Sequence, residues 1–217
     1  MKTIYFVRHG ETEGNKGHFF QGPDTPLTDK GRAQAAFIAE RVSKLPIEVI
    51  LSSEMERAKD TAEHISRSTG KLVEFSKFLF ERRIPSVQVG SRHNSEEMRH
   101  VSREVIANFG KPGGRYSDEE NFDDLKERAR DALNELAERP ENHIVAVTHG
   151  FFLRVILAYA LFDEKLTPEI CVAFLKGGRV ANTGLTILRY KHEDHEYFGN
   201  SENGWEFWVW NDHAHLG

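Results

Sequence analysis

Ile4-Tyr5-Phe6-Val7 runs without a break into Arg8-His9-Gly10-Glu11-Thr12. Four consecutive β-branched or aromatic residues read as a buried strand, and the polar residues that follow lie beyond its carboxyl end. The pattern recurs twice. Residues 47–51 lead into Ser52-Ser53 and then Arg57, and residues 144–147 lead into Thr148-His149-Gly150. A weaker strand is expected at 72–75, and two more at 185–190 and 205–210.

Helical patterns lie between these runs. Residues 31–45 carry Ala35, Ile38, Ala39 and Val42 at helical spacing and stop at Pro46, which cannot continue a helix. Residues 54–68 carry Ala58, Ala62 and Ile65, and 122–136 carry Leu125, Ala129, Ala132, Leu133 and Leu136. Residues 150–162 are apolar almost all round, as a buried helix is. Strands alternating with helices predict an α/β fold, a three-layer α/β/α sandwich on one mixed, mostly parallel sheet. No repeat or long linker divides the 217 residues. A single domain over 1–217 is expected, with an irregular cap insertion at about 82–115.

Composition narrows the function. A net charge of -5 argues against a nucleic-acid partner, which needs a basic field. One cysteine, Cys171, makes an intrachain disulfide impossible. The run at 4–7 is too short for a signal peptide and no run approaches a membrane span, so a soluble cytoplasmic protein with no membrane partner is expected. The cap is different in charge. Seven cations, from Arg82 to Arg115, face Glu96, Glu97 and Glu104, a local net of +4. Such a cap would draw in an anionic substrate, with a solvated helix face from 95 to 109 as the plainer reading.

In parallel α/β sheets, ligands bind beyond the carboxyl ends of the strands. Three strands therefore bring two histidines and two arginines to one rim. The chain has no GxGxxG and no GxxxxGK[ST]. Arginines that bind phosphate oxygens bidentately, beside a neutral histidine able to act as nucleophile, suit phosphoryl transfer.

At these residues the chain resembles the histidine phosphatase superfamily, the phosphoglycerate mutase-like family. The resemblance rests on Arg8-His9-Gly10-Glu11-Thr12-Glu13-Gly14-Asn15, then Gln21-Gly22 and Pro26-Leu27-Thr28-Asp29-Lys30-Gly31. Ser52-Ser53 with Arg57-Ala58 and Thr61-Ala62 follow, and Thr148-His149-Gly150 closes the set. It implies that His9 takes up the phosphoryl group, that Arg8 and Arg57 clamp its oxygens, and that His149 donates a hydrogen bond to it. Asn15, Gln21, Gly22 and the N–H of Gly150 would complete the phosphate pocket. Arg82, with Arg83, Arg92 or His93, would meet the substrate beyond its phosphate. The implied partner is a small phosphorylated metabolite, with no metal and no organic cofactor.

Some family members place an acid directly after the second histidine, where this chain has Gly150. Glu81 matches the position other members use, and its neighbours Phe78, Leu79 and Phe80 suggest a desolvated carboxyl able to give up a proton. Glu11, close to His9, is its rival. Plainer readings make Arg57 an exposed helix charge paired with Glu54 or Asp60, and Glu81 a surface partner of Arg82 or Arg83.

The resemblance implies hydrolysis of a phosphate monoester, with a phosphoglycerate mutase as the alternative. Mutases of the family carry a Trp-Asn pair where this chain has Gly14-Asn15, and they are longer. A phospho-ligand binding module without catalysis is the third reading. His192-Glu193-Asp194-His195 misses the zinc spacing HExxH by one residue and reads as a solvated loop. His213 and His215 are expected frayed or exposed. Trp205, Phe207 and Val209 alternate with Glu206, Trp208 and Trp210, which predicts a strand apolar on both faces, buried in the core or used in a homodimer.

Overall fold

The computed structural model describes residues 1–191 and 203–217. The near-zinc motif at 192–195 lies outside the described residues. Six strands form one sheet: β1 (Lys2–Arg8), β2 (Val49–Ser52), β3 (Val73–Phe75), β4 (His143–Thr148), β5 (Leu185–Tyr190) and β6 (Trp205–Asp212). Their order is β3-β2-β4-β1-β5-β6. The first four are mutually parallel, β5 runs antiparallel to β1, and β6 runs antiparallel to β5.

Among the described residues seven α-helices accompany the sheet: α1 (Glu13–Gly17), α2 (Asp29–Val42), α3 (Glu56–Thr69), α4 (Glu96–Asn108), α5 (Phe122–Glu138), α6 (Gly150–Phe162) and α7 (Pro168–Gly177). Alternation along the central strands separates two cores. Ile4, Phe6, Leu51, Ile144 and Ala146 pack with α5, α6 and α7 on one face. Tyr5, Val7, Ile50, Val145 and Val147 pack with α2 and α3 on the other. Both faces are covered at the sheet's centre, so residues 4–7, 49–51 and 144–147 are apolar without interruption. The result is the expected three-layer α/β/α sandwich.

Boundaries moved where caps decide them. Thr28 accepts a hydrogen bond from Gly31 N–H, so α2 begins at Asp29, two residues before the periodic pattern. Helix α7 begins with Thr167 as cap and Pro168 in its first turn. The 82–115 segment is more regular than expected, because α4 fills 13 of its residues. Met98, Val101 and Val105 of α4 pack on Phe20, and Phe20 and Gly90 exchange backbone bonds with Ser91 and Phe20 respectively. The cap is thereby stitched to the loop that follows α1.

Strand β6 is an edge strand, which corrects the expectation of two apolar faces buried alike. Trp205 is buried and Phe207 packs on the core, whereas Trp208 is 53% exposed beneath the Arg189 guanidinium, 3.6 Å from its ring centre. The chain's end is also tied down. His215 Nε2 lies 3.1 Å from the Thr183 hydroxyl, so His215 is half-buried and not frayed. Among the described residues no helix is long and apolar enough to cross a membrane.

Candidate active site

Parallel pairing in register puts Arg8 beside Thr148, so the residues after β1 and β4 emerge together. His9 and His149 stand with ring centroids 5.1 Å apart, and both are buried. Gly10 is required here: a Cβ on it would fall 2.4 Å from the Gly31 carbonyl oxygen, where the start of α2 presses on the loop. Arg8 sits at the end of β1 and gives Nη1 to the Val180 carbonyl at 2.6 Å.

Arg57 reaches the same point from the first turn of α3. It is 2% exposed, so it is not the surface charge of the plainer reading. Its Nη1 donates to the Gly22 carbonyl at 2.8 Å. Burial, offset by the Glu81 charge, pulls its pKa down to about 10, which leaves it cationic at neutral pH. Burial likewise lowers the pKa of Arg8.

The imidazoles are held neutral. Burial first, then the charges of Arg57 and Arg8, push His9 well below the ordinary histidine value. His149 is pushed down by burial, Arg57, His9 and Arg8. His9 Nδ1 lies 2.7 Å from the Gly10 carbonyl oxygen. A carbonyl only accepts, so Nδ1 carries the proton and Nε2 keeps its lone pair.

The neutral donors are oriented in a similar way. Asn15 Oδ1 accepts from Thr12 N–H at 3.2 Å and from Asn182 Nδ2 at 3.1 Å. Its NH2 is the end left over, and Asn15 lines the cavity. Gln21 Oε1 takes the Thr12 hydroxyl at 2.7 Å, again freeing the NH2 end. Asn182 also donates to the His9 carbonyl at 3.0 Å, a bridging role the sequence did not reveal. Gly22 differs from expectation: it holds Arg57 through its carbonyl and does not line the cavity.

Glu81 lines the cavity, but its carboxylate is not in an apolar pocket. Leu79 turns into the core, and Phe78 packs against it from outside. The carboxylate meets the start of α6 instead. Oε1 accepts from Phe152 N–H at 3.0 Å and Arg82 N–H at 2.9 Å, while Oε2 accepts only from Phe151 N–H at 3.2 Å. The loop that carries it is clamped by Arg128, which donates to the Phe78 and Phe80 carbonyls and pairs with Glu120. Its rival, Glu11, pairs with Lys30 at 3.0 Å and does not line the cavity.

Gly150 lines the cavity, and a Cβ there would stand 2.9 Å from Arg8 Nε. Any side chain at that position would press on Arg8.

Arg8, His9, Asn15, Gln21, Arg57, Glu81 and Gly150 line an open cavity of about 820 Å³, while His149 is fully buried beside His9 and does not line it. Five arginines line it, and Glu81 is the one carboxylate among its described lining residues. Of the cap residues expected to meet the substrate, Arg82 and His93 reach the cavity, and Arg83 and Arg92 do not. Arg83 bonds to Asp118, Arg92 lies over the Phe19 ring, and Arg115 pairs with Asp124. Most of the cap's positive charge is therefore spent outside. Arg82 stacks on Phe151 at 4.1 Å. Arg154, Arg179 and His213, none of them expected, complete the rim.

Four buried side-chain nitrogens lack a partner among the described residues, and three are Arg8 Nε, Arg57 Nε and His149 Nδ1. Unpaired buried polar nitrogens are rare, and three in one cluster that holds two guanidiniums suit an anion.

The sheet and this cluster set two buried histidines and two arginines together at the carboxyl edge of an α/β sandwich. Residues 4–198 match the family model of the histidine phosphatase superfamily (branch 1), and the chain belongs to that superfamily. A probable phosphoglycerate mutase GpmB of Salmonella arizonae is 34% identical over 163 residues, covering 74% of this chain and 75% of the relative. Among solved structures, mycobacterial glucosyl-3-phosphoglycerate phosphatase, in complex with VO3, superposes with a TM-score of 0.75 at 26% identity, over 97% of this chain and 99% of that one. A phosphoserine phosphatase of Entamoeba histolytica shares the fold, with a TM-score of 0.76 at 24% identity over the whole of both chains.

Proposed function

We propose that this chain hydrolyses a phosphate monoester of a small metabolite through a phosphohistidine on His9. The observation that carries the reading is the cluster of unpaired nitrogens on Arg8, Arg57 and His149 around a neutral His9 whose Nε2 lone pair is free.

In this scheme the two guanidiniums neutralise the phosphoryl oxygens, and Asn15, Gln21 and the Gly150 N–H add neutral donors. His9 Nε2 attacks phosphorus while the bond to the ester oxygen breaks in line. Glu81 gives a proton to that departing oxygen. Its Oε2 is the better holder of the proton, since it accepts one backbone bond where Oε1 accepts two. A water then gives a proton back to Glu81, attacks phosphorus and breaks the N–P bond, releasing phosphate and restoring His9. The Gly10 carbonyl keeps hold of Nδ1–H while the ring becomes cationic.

Hydrolysis is favoured over mutase action by the wide cavity, which admits water beside the intermediate. The test is product analysis with p-nitrophenyl phosphate and a panel of phosphorylated metabolites. Release of inorganic phosphate, undiminished by EDTA, is expected. Interconversion of phosphoglycerates stimulated by a bisphosphoglycerate, without phosphate release, would make the chain a mutase. Binding without turnover would make it a binding module.

A further inference from the structure

His149 has two ring nitrogens and, when neutral, one proton. Its Nδ1 is buried without a partner, and its Nε2 lies 2.8 Å from the Ser53 hydroxyl oxygen. Which nitrogen carries the proton decides whether the ring offers the phosphoryl group a donor or a lone pair.

Ser53 settles it by its own hydrogen-bond accounting. Ser53 is fully buried at the end of β2. Its hydroxyl oxygen already accepts Met55 N–H at 3.2 Å. The hydroxyl proton still needs an acceptor, and His149 Nε2 is the acceptor within reach among the described residues. The opposite arrangement would aim two donors at one oxygen and leave a buried O–H unpaired, which costs about 1–3 kcal/mol.

We infer that Ser53 is a positioning residue that donates its hydroxyl proton to His149 Nε2, so that His149 presents Nδ1–H to the substrate's phosphoryl oxygen. This rests on the phosphoryl-transfer reading for its purpose, though the proton's location stands independently of it. His9 and His149 then carry their protons on the same atom, Nδ1, to opposite ends. In His9 a carbonyl takes that proton and frees a nucleophile. In His149 a serine occupies the other nitrogen and frees a donor.

The experiment is nitrogen-15 NMR of the whole protein labelled at histidine, at pH 7.5, with His149 assigned by comparison with His149→Gln. The expected wild-type spectrum has a pyrrole-like Nδ1 and a pyridine-like Nε2 on His149. In Ser53→Ala the Nε2 signal moves towards the protonated form, and kcat falls on the order of 10-fold while KM changes less, because a donor is lost from the transition state. A wild-type ring protonated on Nε2, or a Ser53→Ala ring with an unchanged tautomer, overturns the inference. The wild-type spectrum alone is decisive should Ser53→Ala fold poorly. Absence of phosphatase activity in a protein with the Nδ1–H tautomer would count against the proposed reaction and leave the serine's role intact.

Discussion

The floor of the cavity and its rim are built on different principles. The floor consists of His9, Arg8 and Arg57, carried on strand ends or a first helical turn, with His149 fully buried beside His9. The rim consists of Arg82, His93, Arg179 and His213, carried on loops and the chain's end, and more exposed. In the proposed reaction the floor would fix charges and protons before any ligand arrives, which is where transition-state stabilisation would come from. The rim would touch whatever else the substrate carries. On that proposal chemistry and substrate choice are separable, and substitutions divide the two.

His9→Ala removes the nucleophile. Turnover of p-nitrophenyl phosphate is expected to drop by about 10⁴-fold or more in steady-state assays, while phosphate binding survives. A variant with a tenth of normal activity would place the nucleophile elsewhere.

Glu81→Gln separates proton transfer from attack. Alkyl phosphates, whose leaving group needs a proton, are expected to lose about 10²–10³-fold in kcat. p-Nitrophenyl phosphate, with an acidic leaving group, should lose far less in its first step. Equal losses on both substrates would deny Glu81 the acid's part.

Gly150→Ala tests the floor's packing. The added methyl meets Arg8 Nε, and the expected outcome is about a 10-fold fall in kcat/KM with weaker inhibition by inorganic phosphate. Arg179→Ala tests the rim. It should change KM by a few-fold, differently for different substrates, and leave kcat for p-nitrophenyl phosphate alone. A uniform loss of kcat would erase the distinction between floor and rim.

The smallest effect is thermodynamic. His9 and His149 have folded pKa values below the unfolded value, mainly through burial, and His93 and His215 are lowered in the same direction. As pH falls through about 6.5, the unfolded chain takes up protons that the folded chain refuses, so stability drops. It is fully present above that pH. Urea unfolding at pH 7.5 and 5.5 should show a loss of about 1 kcal/mol for each of the two buried imidazoles, His9 and His149, with a minor addition from the more exposed His93 and His215, and a smaller total loss in His149→Gln.

Legibility follows the same division. Strand ends were readable because four apolar residues followed by Arg-His-Gly combine a periodic signal with a conspicuous break, and such a break marks the sheet's carboxyl edge. The rim had no such signal. Asn182 acts through two hydrogen bonds that close over 167 and 173 residues of chain, which no local pattern reports. His213 is exposed as expected, but its place at the cavity has no sequence signal, because the ties at Asn211 and His215 are invisible there: Asn211 accepts from Ala181 N–H at 2.6 Å. Glu81 is legible by family position, but its setting is not: Leu79 and Phe78 pack on the core, and the start of α6 meets the carboxylate. Ser53 stood in a quoted block, but its function depends on counting protons on a ring 96 residues away.

The central claim is that a phosphoryl group rests on His9 during turnover. The direct measurement is to mix the enzyme with a radiolabelled phosphate ester, quench in alkali within one turnover, and map the label by peptide mass spectrometry. The account predicts label on the His9 imidazole at Nε2, absent in His9→Ala and lost on standing in acid. Label on another side chain, or turnover in which no phosphoenzyme accumulates even when Glu81→Gln slows its hydrolysis, would contradict it.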